Sequence, residues 1–491
     1  MVEDLSIASG SQWQMTGDSQ VGQLHLDHGS VAFDAPTSGD FKTLTVNGDF
    51  SADNGLLLMN TALGDDRSAT DKLHVLGNTS GSAAVAVNNV GGLGGETQDG
   101  IQIIQVDGRS DARFDLAGRA VGGMYEYFLY QGGKTDPNDG DWYLRSELDG
   151  TADPKPEPCL TDPAAPGCGG GIIKPVLRPE VGAYLANQAA AVGMFQHAMH
   201  DRLGEPNLVE RLRQDDVQGS SWARIEGGQT QQRTGLDQLD VRSDRSMLQI
   251  GTDLIRWGSE GRGQLGLMAA TGKTRSTVLS NATGYQAQGR VDGTAAGIYG
   301  NWFAHPAQGT GLYVDSWVQR GNYRQKVQGE ALAEERLRAR SLTGSVEAGY
   351  AWLARSTERS RFLVEPQLQL TYTDYRSDDH VEANGTRIQT ALAGGLTTRL
   401  GVRAYGHANV DSGNRVQPFV TANWYHQQRG NAVSFDGDAV NGAAPQDRYE
   451  LKGGAQLQLG GKWTGWGQLG VQRGDGSFRD VAAQLGLKRA W

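Results

Sequence analysis

The chain has 491 residues, a formal net charge of −11 and an estimated pI of 5.4, so it offers no basic field to gather nucleic acid. Mean hydropathy is −0.48 and no apolar run approaches the roughly 18 residues of a membrane-spanning helix, so any crossing of a bilayer must use strands. Glycine, 70 of 491, stands at about twice its usual share without a collagen period, which suits tight turns and repetitive β architecture.

The opening MVEDLSIASG carries neither a basic n-region nor an apolar h-region, and its abrupt start reads as a segment of a longer precursor. Residues 1–150 consist of short β signals punctuated by Gly, Asn and Asp. Leu24-x-Leu26, Leu44-x-Val46, Leu73-x-Val75 and Ile101-x-Ile103 recur at loose intervals. This predicts rungs of a parallel β-solenoid, each coil burying its face against the next; a β-sandwich is the alternative. The aromatic run MYEYFLYQGG and the following DGDWYLRS supply Tyr125, Tyr127, Phe128, Tyr130, Trp142 and Tyr143 as a cap for the last rung.

Residues 151–178, rich in Pro and Gly and without period, form a linker. Here lie the chain's two cysteines, Cys159 and Cys168. Their spacing suits a small disulfide loop in an oxidising compartment, with two unpaired linker thiols as the other reading. Zinc is not expected, because no further Cys and no His pair accompanies them.

Residues 179–215 begin PEVGAYLANQAAAVGMFQHAMHDRLGEP, with Pro179 in the first turn and Gly204 and Pro206 at the end of one helix over 180–203. Such a rod is roughly 36 Å long. Ala183, Ala186, Asn187, Ala190, Gly193 and Gln196 make it slim and too polar for lipid, yet long enough to cross a membrane inside a pore.

Residues 216–491 hold twelve candidate strands, beginning near 221, 245, 263, 290, 311, 341, 361, 396, 416, 449, 462 and 478. RFLVEPQLQLTYTDY (361–375) shows the pattern: Phe362, Val364, Pro366, Leu368, Leu370 and Tyr372 share one face, and Glu365, Gln367, Gln369, Thr371 and Thr373 the other. Arg224, Asp315, Glu347, Arg399 and Arg403 fall on polar faces of the same kind and are assigned, with Glu365, Gln367 and Gln369, to a hydrated zwitterionic lumen. Long connections (228–243, 272–288, 321–340, 376–390, 429–447) alternate with short ones, as in an antiparallel transmembrane barrel. Pro366 and Pro418 are awkward in a closed barrel and imply bulges.

Catalytic and metal sites are not assigned. GDSQ (17–20) departs from the serine-protease GDSG and has no protease domain around it. His25, His28 and His74, and the pairs Asp65-Asp66 and Asp378-Asp379, read as solvated side chains. No cofactor is expected. Arg473-Gly474-Asp475 spells an integrin-binding tripeptide, but Gly-Asp-Gly is an ordinary turn.

The order solenoid end, aromatic cap, linker, pore-length helix and twelve-strand barrel resembles the monomeric autotransporters of Gram-negative bacteria, of the AIDA and pertactin type. SQWQMTGDSQVGQLHLDHGSVAF and TDKLHVLG are similar to the family's autochaperone region, RPEVGAYLANQAAAVGMF to its linker-helix junction, and GLKRAW to its closing strand. The resemblance implies a monomeric barrel in outer-membrane lipid and lipopolysaccharide, with an adhesin-type passenger on the cell surface and a possible host receptor. It also implies periplasmic chaperones and a barrel assembly machinery that reads Leu485, Leu487 and Trp491. Some members cleave their passenger at an Asn pair in the helix. Here the helix has Asn187-Gln188, and Asn88-Asn89 lies in the solenoid, so cleavage is not carried over. A diffusion porin, and an adhesin acting through the solenoid and loops, stay open as alternatives.

Overall fold

The computed structural model describes residues 2–37, 39–148, 173–204, 219–258, 261–306, 309–357, 360–408, 416–442, 444–459, 462–475 and 477–491. Cys159 and Cys168, and residues 205–215 of the segment 179–215, lie outside them. Among the described residues no helix is long and apolar enough to cross a membrane.

The N-terminal strands stack in parallel as a solenoid. Leu44, Leu73 and Ile104 lie in one column and Val46, Val75 and Val106 in the next, so hydrophobic side chains repeat directly above one another. Two details of the sequence pattern change. Leu24-x-Leu26 belongs to another column, pairing with Leu5 and Ile7 on one side and Phe50 and Ala52 on the other. In the last rung the stacking pair is Ile104-x-Val106 instead of Ile101-x-Ile103, because every residue of the run Ile101–Ile104 except Gln102 is buried and apolarity cannot fix the register. Gly81 makes a close approach that only glycine permits: its φ is +82° and a Cβ would lie 1.8 Å from the Ala52 carbonyl oxygen.

Parallel stacking ends where the aromatic run begins. Tyr125–Gln131 pairs antiparallel with Trp142–Arg145, which pairs antiparallel with Ile101–Val106. Phe114 stacks on Phe50 at 5.8 Å and meets Trp142 edge-on at 5.2 Å, closing the core beneath this hairpin. Asp66 is not simply a solvated charge. Its carboxylate accepts backbone N–H groups from Gln98, Asp99 and Gly100; burial pushes its pKa up, but these donors outweigh it and hold the group below its ordinary range.

The C-terminal half is a closed antiparallel barrel of twelve strands, from Ser220–Thr234 to Arg479–Ala490, the last pairing with the first from Ser220↔Ala490 to Gln231↔Arg479. Period-two alternation runs through it. In Ser360–Ser377, Phe362, Leu368, Leu370 and Tyr372 are exposed while Glu365, Gln367, Gln369, Thr371 and Thr373 are buried. Trp257, Trp302, Tyr350, Trp352, Phe362, Trp463 and Trp491 form an exposed aromatic girdle at one end, and Tyr372 and Tyr449 mark the other.

Three expected long loops are mostly strand. The ladders continue until the turns at 235–238, 281–285 and 330–333, because alternation persists there with polar residues outside. The other two long connections fold as hairpins, His380–Val381 with Arg387–Leu392 and Ala432–Phe435 with Asp438–Asn441, and join in one four-stranded sheet. The prolines need no bulge. Around Pro366 the pairing with Glu334–Ser356 keeps its register and merely drops the bridges between Gly349↔Gln367 and Trp352↔Val364. Pairing of Val416–Gln427 with Gly395–Ala408 stops at Phe419, one residue short of Pro418. A missing N–H is thus met by omitting a rung.

Candidate functional site: the plugged pore and its mouth

The expected single rod is two helices, α1 (Glu180–Gly193) and α2 (Met199–Leu203), joined by an extended turn. Gly193 weakens the helix, and the turn is drawn to the wall by Phe195 stacking on Tyr323 (6.1 Å) and His197 on Trp317 (4.5 Å). Helix α1 lies inside the barrel. Ala183, Ala186 and Asn187 are buried, Ala190 partly so, whereas Gly193 is exposed and Gln196 belongs to the turn. The wall yields to the helix at glycines: a Cβ on Gly289 would lie 2.6 Å from Asn187 Oδ1, and one on Gly272 2.8 Å from Met194 Sδ. The helix therefore sits to one side, and a polar cavity of about 300 Å³ remains between it and Arg399, Tyr425, Arg448, Glu450 and Lys452.

Below α1 the lumen is occupied by the chain itself. Arg202 of α2 pairs with Asp315 and lies 4.3 Å over the Tyr299 ring. His200 Nε2 is 2.7 Å from Glu365, and Asp201 is 3.3 Å from Lys452 and accepts from Gln468 Nε2 at 2.7 Å. Glu347 accepts the Met199 N–H at 2.9 Å and pairs with Arg399 at 2.9 Å. Arg399 donates to Gln367 and Gln369, Arg224 donates to Gln249 and Gln484, and Arg403 lies over Phe419. Of the wall charges assigned from sequence, the structure brings Glu347 and Arg399 into direct contact. Asp315 and Glu365 instead meet α2, a level of charge pairing that no strand pattern contains.

At the mouth the solenoid cap, the start of α1 and the loop sheet share a buried ionic cluster. Arg119 of the cap is 2.6 Å from Glu126 and 2.7 Å from Glu180, the first residue of α1, and lies over the Tyr285 ring at 4.8 Å. Arg178 donates to the Gly123 carbonyl at 2.7 Å and pairs with Glu382 of the loop hairpin, which also accepts from Tyr184 at 2.8 Å. Burial pushes the Glu126 carboxyl up against the pull of Arg119. Around this cluster Val181, Tyr184 and Leu185 pack on Ile388, Val433, Phe435 and Val440. None of the cluster's charged residues was assigned from sequence. The available signal was a charge set among buried aromatics, Glu126 between Tyr125 and Tyr127.

The six cap aromatics are all buried. Leu485, Leu487 and Trp491 lie on the exposed outer face, with Trp491 bonded to Ser221 through its indole N–H at 3.2 Å. Arg473 and Gly474 end Trp463–Gly474, and Asp475 opens the turn. His25 bonds Ser51 and His74 bonds Asp107, while His28 sits with Asp27 and Asp53, ligand-type atoms within 4.8 Å, all three exposed.

The family described as Autotransporter beta-domain matches residues 221–470, and that described as Autochaperone Domain Type 1 matches residues 19–129. The chain is 37% identical over 465 residues to YdeU of Escherichia coli K12, covering 91% of this chain and 98% of that protein. It is 28% identical to the autotransporter adhesin AIDA-I of Escherichia coli over 91% of this chain, and it spans 34% of that protein's length. The crystal structure of the AIDA-I transport unit superposes with a TM-score of 0.57 at 25% identity, covering 64% of this chain and 99% of that one. The barrel is therefore one of the bacterial outer membrane, closed by a single chain, with the solenoid at the cell surface. Barrel, pore helix and autochaperone cap together make this chain a member of the autotransporter family, with an outer-membrane translocator as its C-terminal half.

Proposed function

We propose that this chain exports its N-terminal passenger through its own barrel and then holds it at the cell surface as an adhesin-type, non-enzymatic passenger. Residues 1–150 act as passenger end and folding template, 151–178 as tether, 179–215 as plug and 216–491 as translocator. Likeness to the adhesin AIDA-I supports the passenger type. The observation that carries the reading is the Arg119–Glu180 ion pair, which fastens the cap to the residue where the chain enters the pore. Periplasmic chaperones and the barrel assembly machinery, through the strand ending Leu485, Leu487 and Trp491, are the partners in biogenesis, and a host surface receptor is the partner of the passenger.

The test places an epitope tag at residue 1 behind a secretion signal in a Gram-negative host. Labelling and external shaving of the tag on intact cells is the expected result. A tag protected until the outer membrane is broken, with the barrel correctly inserted, overturns export and leaves a diffusion channel.

A further inference from the structure

The outward-facing side chains of the strands that run on beyond the apolar belt form an unusual array. In Glu334–Ser356 the outer row runs Trp352, Tyr350, Ala348, Val346, Gly344, Leu342, an apolar climb of roughly 25 Å at ordinary strand rise and tilt. The same row then continues Arg340, Arg338, Arg336, about 5, 10 and 15 Å higher. The first height falls within the headgroup layer, about 5–8 Å deep on each side of the hydrocarbon, and the other two stand just above it.

The neighbouring strands match. Arg275, Arg290, Lys326 and Arg336 stand directly opposite one another across four successive strands. Arg324 faces Arg338, and Arg340 faces Arg376. Like charges placed directly opposite in a ladder repel, so this arrangement costs stability unless an anion compensates it. Some acids are present: Asp292 pairs with Arg290 and Lys273, Glu334 with Lys326 and Arg336, and Asp374 with Arg376. Among the described residues, however, no carboxylate comes within salt-bridge distance of Arg275, Arg320, Arg324, Arg338 or Arg340, and all five are exposed. A groove of about 900 Å³ crosses this face, where Lys273, Arg324, Arg338 and Arg340 outnumber the two carboxylates in its lining, Asp292 and Asp378. All this stands on a chain whose net charge is −11.

We propose that this patch, on the outer wall over residues 262–356, binds the phosphate groups of the phosphorylated glycolipid in the outer leaflet. The planar fork of arginine suits bidentate phosphate contacts, and its aliphatic stem lies against the apolar belt below. The requirement is for both parts of the ligand: acyl chains beside Leu342 and Val346, phosphate beside Arg324, Arg338 and Arg340. Bound there, the lipid fixes the depth of the barrel on the side where helix α1 packs. The inference rests only on the outer-membrane setting and is independent of what the passenger does.

The test uses the full chain, folded in zwitterionic detergent, titrated with bis-phosphorylated lipid A and read by native mass spectrometry. R324Q/R338Q/R340Q is expected to weaken binding about 100-fold, at about five-fold for each cation removed. R67Q/R109Q/R113Q, with the same charge loss on the solenoid, is expected to leave it unchanged. Heat-modifiable gel migration reports that each barrel has closed. Independently of any variant, the wild-type chain is expected to bind dephosphorylated lipid A at least ten-fold more weakly. Equal binding of the two lipids, or no loss in the wall variant, overturns the proposal. So does equally tight binding of inorganic phosphate or heparin in the absence of acyl chains, which makes the patch a site for soluble anions.

Discussion

Replacing Arg119 by Met removes the cation that bridges two buried carboxylates, Glu126 and Glu180, with side chains 1% and 3% exposed, and leaves Glu180 only the longer contact to Arg178 at 3.9 Å. The methionine fills much of the same volume, so the main effect is electrostatic: two carboxylates remain in a space closed to water. Breaking a buried pair in this way costs about 3–5 kcal/mol. Melting of the cap against the barrel should therefore fall by about 10 °C at pH 7, as followed by calorimetry on the full chain in detergent. The defect has a defined pH dependence. Burial already raises the Glu126 carboxyl above its ordinary 4.5, so the folded state binds the proton more readily than the unfolded one, and stability declines as pH rises through the raised value. Without Arg119 that value rises further, so lowering the pH from 7 toward 4.5 should return most of the loss. Adding Glu126→Gln to Arg119→Met should return part of it at pH 7. An unchanged melting temperature at pH 7, or a defect as large at pH 5, refutes the view that the cluster latches the cap to the pore.

Two further outcomes follow from the geometry. Gly81→Ala meets the Ala52 carbonyl at 1.8 Å and demands a left-handed backbone, so the solenoid should lose at least about 2 kcal/mol and become sensitive to external trypsin on intact cells, while the barrel stays heat-modifiable. Replacing residues 432–441 by a short turn removes Val433, Phe435 and Val440 and so uncovers Tyr184 and Leu185 of α1. Planar-bilayer recordings should then show steady conductance where the intact chain is closed; silence from the shortened chain would mean that α1 and α2 alone seal the pore.

Much of this molecule is readable from sequence because a strand between lipid and a polar interior carries its address in every second residue. The faces of Phe362–Thr373, the count of twelve strands and the aromatic cap all follow from that period and from the need of a solenoid for a closed end. Where burial is uniform, as at Ile101–Ile104, period gives no register, and the sequence pattern misaligned the last rung by three residues. Where charged residues alternate with polar ones, as at 321–340, a strand looks like a loop. Tertiary structure alone decided the partners of the buried charges. Arg178 and Glu382, or Arg202 and Asp315, lie far apart in the chain and meet only when the helices thread the barrel. A local pattern can tell a side chain whether to face water, lipid or protein; it cannot name the distant group that makes burying a charge tolerable, because that choice is made by the path of the whole chain.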